Sequence, residues 1–150
     1  MKKIISLLLC AIIIIAVLPY ANATEPTEVI YFNEHVLENG LTVVDIVSVS
    51  SRSRASEKTA YREQSIYDGE TLVAYIRFVA TFRYDGSTAS VVSKTVTHSD
   101  TYDGWDYVQN SFAASGGTVT LSAKITKWFI FNTNFTMTLS CDKNGTISYS

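Results

Sequence analysis

After residue 28, apolar and polar residues alternate with period two along almost the whole chain, and no stretch sustains a helical period. The longest run is Leu72 to Tyr84. One side carries Leu72, Ala74, Ile76, Phe78, Ala80, Phe82 and Tyr84, and the other carries Val73, Tyr75, Arg77, Val79, Thr81 and Arg83. Successive side chains on a strand point to opposite faces, so this run predicts a long strand with one continuous apolar face and a second, partly exposed one. Ala89 to His98 alternates again after Asp85-Gly86, with Val92 and Val96 on its more apolar side. Val119, Leu121, Ala123 and Ile125 share one face of the next run, and Phe135, Met137, Leu139 and Cys141 share one face of the last.

Turn signals punctuate these runs. Asn39-Gly40 joins Val29-Ile30-Tyr31-Phe32 and the residues after them to Leu41–Val47 as a hairpin, and Asp142-Lys143-Asn144-Gly145 returns the chain into Ile147 and Tyr149. Asn132-Thr133-Asn134 reads as a further turn, and Trp128-Phe129-Ile130-Phe131 before it as core cover at a strand end. Short strands, frequent turns and Thr- and Ser-rich outer faces predict an all-β fold, an antiparallel β-sandwich of immunoglobulin-like type. The organisation expected is a signal peptide over residues 1–23, an N-terminal β-hairpin and Ser/Arg loop over 24–56, and the sandwich over 57–150. No internal repeat is visible.

The N-terminus changes the picture of where the protein goes. Lys2 and Lys3 precede a run from Ile4 to Leu18 that is apolar except for Ser6. Pro19 breaks it, and Ala21-Asn22-Ala23 places small residues at the −3 and −1 positions of a signal-peptidase site. The run is shorter than the roughly 20 apolar residues of a membrane span. The expectation is therefore a secreted, extracellular protein with no membrane span after cleavage behind Ala23, at the site that Ala21 and Ala23 form. Lys2 and Lys3 leave with the signal, so 10 Lys and Arg face 14 Asp and Glu, a net charge of −4. That balance argues against nucleic acid or anionic membrane as the main partner.

Candidate chemistry is sparse. Cys10 leaves with the signal, and Cys141 stays as a single cysteine, whose ordinary reading is a small buried apolar residue. His98-Ser99-Asp100 has hydrolase residue types, but as sequence neighbours that cannot converge as a triad does. A His98–Cys141 dyad would need their strands to pair. His35 and His98 match no metal-ligand spacing, and no phosphate-binding or nucleophile-elbow motif occurs. The expectation is no enzyme and no cofactor.

Asp100, Asp103 and Asp106 fall three apart around Gly104, which leaves a calcium site open beside the reading of a solvated Asx turn. The same stretch holds Tyr102, Trp105 and Tyr107. Aromatic residues on a loop of a sandwich are a means of gripping sugars or partner proteins, and Trp105 is alternatively a lid folded onto the core. Ser48 to Ser56 is polar with Arg52 and Arg54, either a plain loop or a protease-sensitive link.

Phe82-Arg83-Tyr84-Asp85-Gly86-Ser87-Thr88-Ala89 resembles the Phe-x-Tyr-Asn/Asp-Gly-Ser core of DUF6147, a family of small secreted β-rich proteins of Gram-positive bacteria. Ser53-Arg54-Ala55-Ser56, the Trp105 region, Ala114-Ser115-Gly116-Gly117-Thr118 and Leu139-Ser140-Cys141-Asp142-Lys143-Asn144-Gly145 extend the resemblance over most of residues 37–149. It implies a secreted bacterial protein and brings no catalytic residues. The function expected is non-enzymatic binding of a surface protein or glycan through the aromatic loop. The alternative is a secreted effector, antimicrobial or host-directed, released by processing near Arg52 or Arg54.

Overall fold

The structure, a computed structural model, describes residues 27–50, 56–128 and 131–150. The signal-peptidase residues Ala21 and Ala23, and Arg52 and Arg54 of the Ser/Arg loop, lie outside the described residues. All regular structure among the described residues is β-strand.

Nine strands run in chain order: β1 (Thr27–Val36), β2 (Thr42–Ser50), β3 (Glu57–Asp68), β4 (Thr71–Tyr84), β5 (Ala89–Thr101), β6 (Trp105–Ser115), β7 (Thr118–Lys127), β8 (Phe131–Cys141) and β9 (Ile147–Tyr149). They form a five-stranded sheet, β1-β2-β3-β4-β5, and a four-stranded sheet, β6-β7-β8-β9, with every neighbouring pair antiparallel. The two-sheet antiparallel sandwich is the expected architecture. Its connectivity is simpler than the Greek key of immunoglobulin domains, because within each sheet the strands pair in sequence order and the chain changes sheet once, between β5 and β6. β2 pairs with β3 from Thr42↔Tyr67 to Val49↔Ala60, so the N-terminal hairpin is built into the first sheet and no separate unit ends at residue 56. Ser48 to Ser50, read as part of the loop, complete β2.

The inner faces of both sheets meet in one core. Val47, Ala60, Ile66, Ile76, Phe78, Ala80 and Phe82 come from the first sheet, and Val119, Leu121, Ile125, Met137 and Leu139 from the second. Phe78, Ile76, Phe82 and Leu121 are completely buried, the phase that the alternation predicts. Asn132-Thr133-Asn134 is not a turn. The three residues lie inside β8, and Thr133 is buried where its Oγ1 accepts a hydrogen bond from Asn39 Nδ2 at 2.6 Å. A contact from the other sheet recruits this segment into the strand against its local turn preference.

Two polar residues break the inner face of β3. Arg62 is 4% exposed and Gln64 6%. The Arg62 guanidinium forms a fork with Asp45 of β2, Nε donating to Oδ1 at 3.1 Å and Nη2 to Oδ2 at 2.6 Å. Its Nη1 crosses to the second sheet and donates to the carbonyls of Thr138, at 2.8 Å, and of Ser150. One side chain thus holds β2, β8 and the residue after β9. Deleting one partner of a buried ion pair strands the other charge, at a cost of about 3–5 kcal/mol. Asp45→Ala should lose about that much in urea denaturation. Replacing both partners, Asp45→Leu with Arg62→Met, should cost less than Asp45→Ala alone.

Candidate functional site

Four turns gather at one end of the sandwich. Val36↔Thr42, Thr42↔Tyr67, Asp68↔Thr71 and Ala74↔Thr101 bring the β1–β2, β3–β4 and β5–β6 turns together in the first sheet. Trp105↔Lys127 and Lys127↔Phe131 place the β7–β8 turn at the end of the second sheet where β6 begins. The Tyr102 N–H donates to the Val73 carbonyl at 3.0 Å, and the Trp105 N–H to the Tyr102 carbonyl at 3.0 Å, where the chain passes from one sheet to the other.

The structure decides between the two readings of Trp105 and reverses that of Trp128. Trp105 opens β6 and is 5% exposed, part of the core cluster. It is the lid, not the exposed platform. Tyr107 lies on β6, half-buried against the core, and its phenol pKa is raised by burial. Tyr102 sits in the turn and is exposed. Trp128, which the sequence assigns to core cover, is 72% exposed, and Phe131 is 54% exposed. Phe129 and Ile130 lie outside the described residues.

These side chains form a connected set. The Trp105 and Phe131 rings are 6.4 Å apart between centroids. Lys127 Nζ stands 5.4 Å from the Trp105 ring and 5.8 Å from the Trp128 ring, within reach of cation–π attraction to both. The Trp128 indole nitrogen rests against Gly104, where an added Cβ would lie 3.2 Å from it. Trp128 has φ 51°, in the left-handed region, where a bulky residue is strained by about 1–3 kcal/mol. The Trp105 Nε1 is buried and has no hydrogen-bond partner among the described residues.

The three aspartates do not converge. Asp100 is on β5 beside His98, with Oδ2 3.6 Å from His98 Nδ1. Asp103 is in the turn with φ 54°, and Asp106 is on β6 opposite Thr126. Asp100 and Asp106 thus belong to strands of different sheets. No three His, Cys, Asp or Glu side chains among the described residues are grouped to hold a metal. The calcium reading is corrected accordingly.

His98 and Cys141 are also kept apart. Cys141 is on the inner face of β8, buried, and its Sγ donates to the Asp142 carbonyl at 3.4 Å. His98 pairs across β5 with Arg77 and stacks on Tyr75, on the solvent-facing side of the first sheet. Burial and the Asp142 carboxylate raise the thiol pKa against the opposing pull of Lys58. A thiol held protonated in this way is a poor nucleophile.

The alternation of β4 hid a network on that outer face. The Tyr75 hydroxyl donates to Glu63 Oε2 at 2.6 Å, Glu63 Oε1 lies 3.5 Å from Arg77 Nε, and the Arg77 guanidinium covers the Tyr61 ring at 4.7 Å. Burial, with the Glu63 carboxylate beside it, pushes the Tyr75 pKa well above the usual phenol range. The network holds by the Tyr75–Glu63 hydrogen bond, the Glu63–Arg77 charge pair and the ring contact, while the buried Arg77 Nε makes no hydrogen bond among the described residues.

No family model matches the sequence, and no curated protein matches it. Hypothetical protein lmo2686 from Listeria monocytogenes EGD-e, a crystal structure, aligns with 80% of this chain and 93% of its own at 19% identity and a TM-score of 0.43. That likeness carries no argument about the site.

Two outcomes follow from the burial of these side chains. In the chain from Thr24 on, whose one cysteine is Cys141, the thiol should react with a reagent such as DTNB far more slowly in the native protein than in denaturant, one equivalent appearing on unfolding. Trp105→Ala should cost about 3–5 kcal/mol in thermal or urea unfolding, as core tryptophans do.

Proposed function

We propose that the chain is an exported, non-enzymatic β-sandwich protein that binds a surface protein or glycan through its aromatic end. Trp128 carries this reading. A large aromatic residue held in the left-handed region, 72% exposed, is tolerated at a cost in stability. Such strain is a known mark of binding sites, where a side chain is presented rather than packed. Phe131 and Tyr102 are exposed at the same end, and Lys127 braces the two tryptophan rings. Aromatic side chains offer rigid contact area at low entropic cost, which is why they dominate recognition surfaces.

The export half of the reading rests on residues 1–23, and on the resemblance to DUF6147. The non-enzymatic half is supported by the placing of Cys141 and His98 on different sheets, with the thiol buried.

Trp128→Gly separates the two roles that one residue can have. Glycine adopts a positive φ freely, so the variant should unfold at the same temperature as the parent or higher. Its binding to whole cells, cell-wall fractions or a glycan array should fall at least tenfold, by loss of one buried aromatic. Unchanged binding by the variant, or no binding by the parent, overturns the proposal.

A further inference from the structure

The aromatic end is also where the charge of the molecule is concentrated. Glu38 lies in the β1–β2 turn, Asp68 and Glu70 flank Gly69 between β3 and β4, and Asp100, Asp103 and Asp106 surround the passage from β5 to β6. All six are exposed. Lys127 is the only Lys or Arg among the described residues of these turns and their immediate flanks. One lysine against six carboxylates gives this end a net charge of −5, while the sequence after Ala23 carries −4 in total. The remainder of that sequence is thus close to neutral. The acidity is a property of one end.

The apolar centre and the charged surround have the anatomy of a protein interface rather than of a sugar cleft. Exposed Trp128, Phe131 and Tyr102 supply the aromatic anchors, and the carboxylates stand on the neighbouring turns as a polar rim. A glycan site would need converging polar groups at the aromatic faces, and the one cation near the two tryptophan rings, Lys127, is already engaged with them. Bilayer surfaces carrying anionic lipid would be repelled by the rim. A field of one sign selects a partner of the other, and it acts before contact by steering the encounter.

From this charge complementarity we infer that the partner of the aromatic end is a cationic protein surface, an apolar seat for Trp128 ringed by lysine or arginine. The inference rests on the reading of that end as the binding surface and names the class of partner. Glu38, Asp68 and Glu70 set the rate and specificity of docking, and Trp128 anchors it.

The test uses a defined probe, an amphipathic peptide of alternating leucine and lysine, with its leucine–glutamate analogue as control. The chain has two tryptophans, so Trp105→Phe leaves Trp128 as the reporter of binding by fluorescence. The lysine peptide should shift and quench Trp128 emission with an affinity that falls as salt is raised, and the glutamate analogue should not bind. Charge reversal by Glu38→Lys, Asp68→Lys and Glu70→Lys should weaken the lysine peptide at least tenfold, and Glu38→Gln, Asp68→Asn and Glu70→Gln should fall between. Circular dichroism on both sets establishes that the fold is kept, and if the reversed set fails to fold the neutralised set decides.

Equal binding of both peptides, or an affinity indifferent to the rim substitutions, overturns the inference. So does a Trp128 shift on neutral phosphatidylcholine vesicles that exceeds the shift on the lysine peptide. If the rim substitutions leave binding to cells or glycans intact while Trp128→Gly abolishes it, the cationic partner falls and the reading of the aromatic end stands. If Trp128→Gly abolishes neither, both fall.

Discussion

The sandwich turns on one buried guanidinium. Arg62 stands on the inner face of β3 with a carboxylate from β2 on one side and carbonyls of Thr138 and Ser150 on the other. A charge at such a position is destabilising unless every donor finds an acceptor, and here the acceptors belong to both sheets. The apolar core draws the two sheets together without fixing how they align. Arg62 supplies the directional part: its planar fork fits one carboxylate at one orientation, and its remaining nitrogen reaches carbonyls in one place. The alignment of β8 and of the short β9 on the first sheet follows from that geometry.

The opposite end of the sandwich from the aromatic residues is closed by close approaches of the backbone. An added Cβ on Gly145 would fall 2.5 Å from the Tyr84 ring, so only glycine lets the β8–β9 turn lie on that side chain. Asp142 Oδ1 accepts from the N–H groups of Asn144 and Thr146, at 2.9 and 2.7 Å, and these bonds hold its carboxyl below the usual range. Asp85 does the same for Ser87 and Thr88. The Gly86 N–H donates to the Lys143 carbonyl at 2.9 Å, and Lys58 Nζ to the Gly145 carbonyl at 2.6 Å. One end is therefore stitched by polar turns, and the other presents aromatic side chains and unbalanced charge. The division of labour between a closed end and an open one gives the molecule a direction.

Some of this was legible in residue order and some was not. The strands β4, β7 and most of β8 follow from their alternation alone. β3 left no such trace, because its inner face alternates Ala60, Arg62, Gln64 and Ile66, and two polar members erase the apolar rhythm. β6 was hidden by a register shift between Gln109 and Ser111, which moves Phe112 to the side that Trp105 and Tyr107 began. The burial of the two tryptophans was not legible for a related reason. Trp105 sits in a polar, glycine-containing stretch and looks exposed, yet its strand phase turns it inward. Trp128 sits in an apolar run and looks buried, yet it falls in the turn beyond β7.

The sequence by itself determined the all-β class, the turn positions at Asn39-Gly40, Asp85-Gly86 and Asp142–Gly145, and most of the core, because period two and turn chemistry are local properties of neighbouring residues. Only the tertiary structure decided which aromatic residues face solvent, which polar residues are buried, and that six scattered acids share one end. Those outcomes depend on contacts between residues far apart in the chain, such as Arg62 with Ser150 and Asn39 with Thr133. A strand's own pattern records which two faces it has. What covers each face is set by the strands it meets.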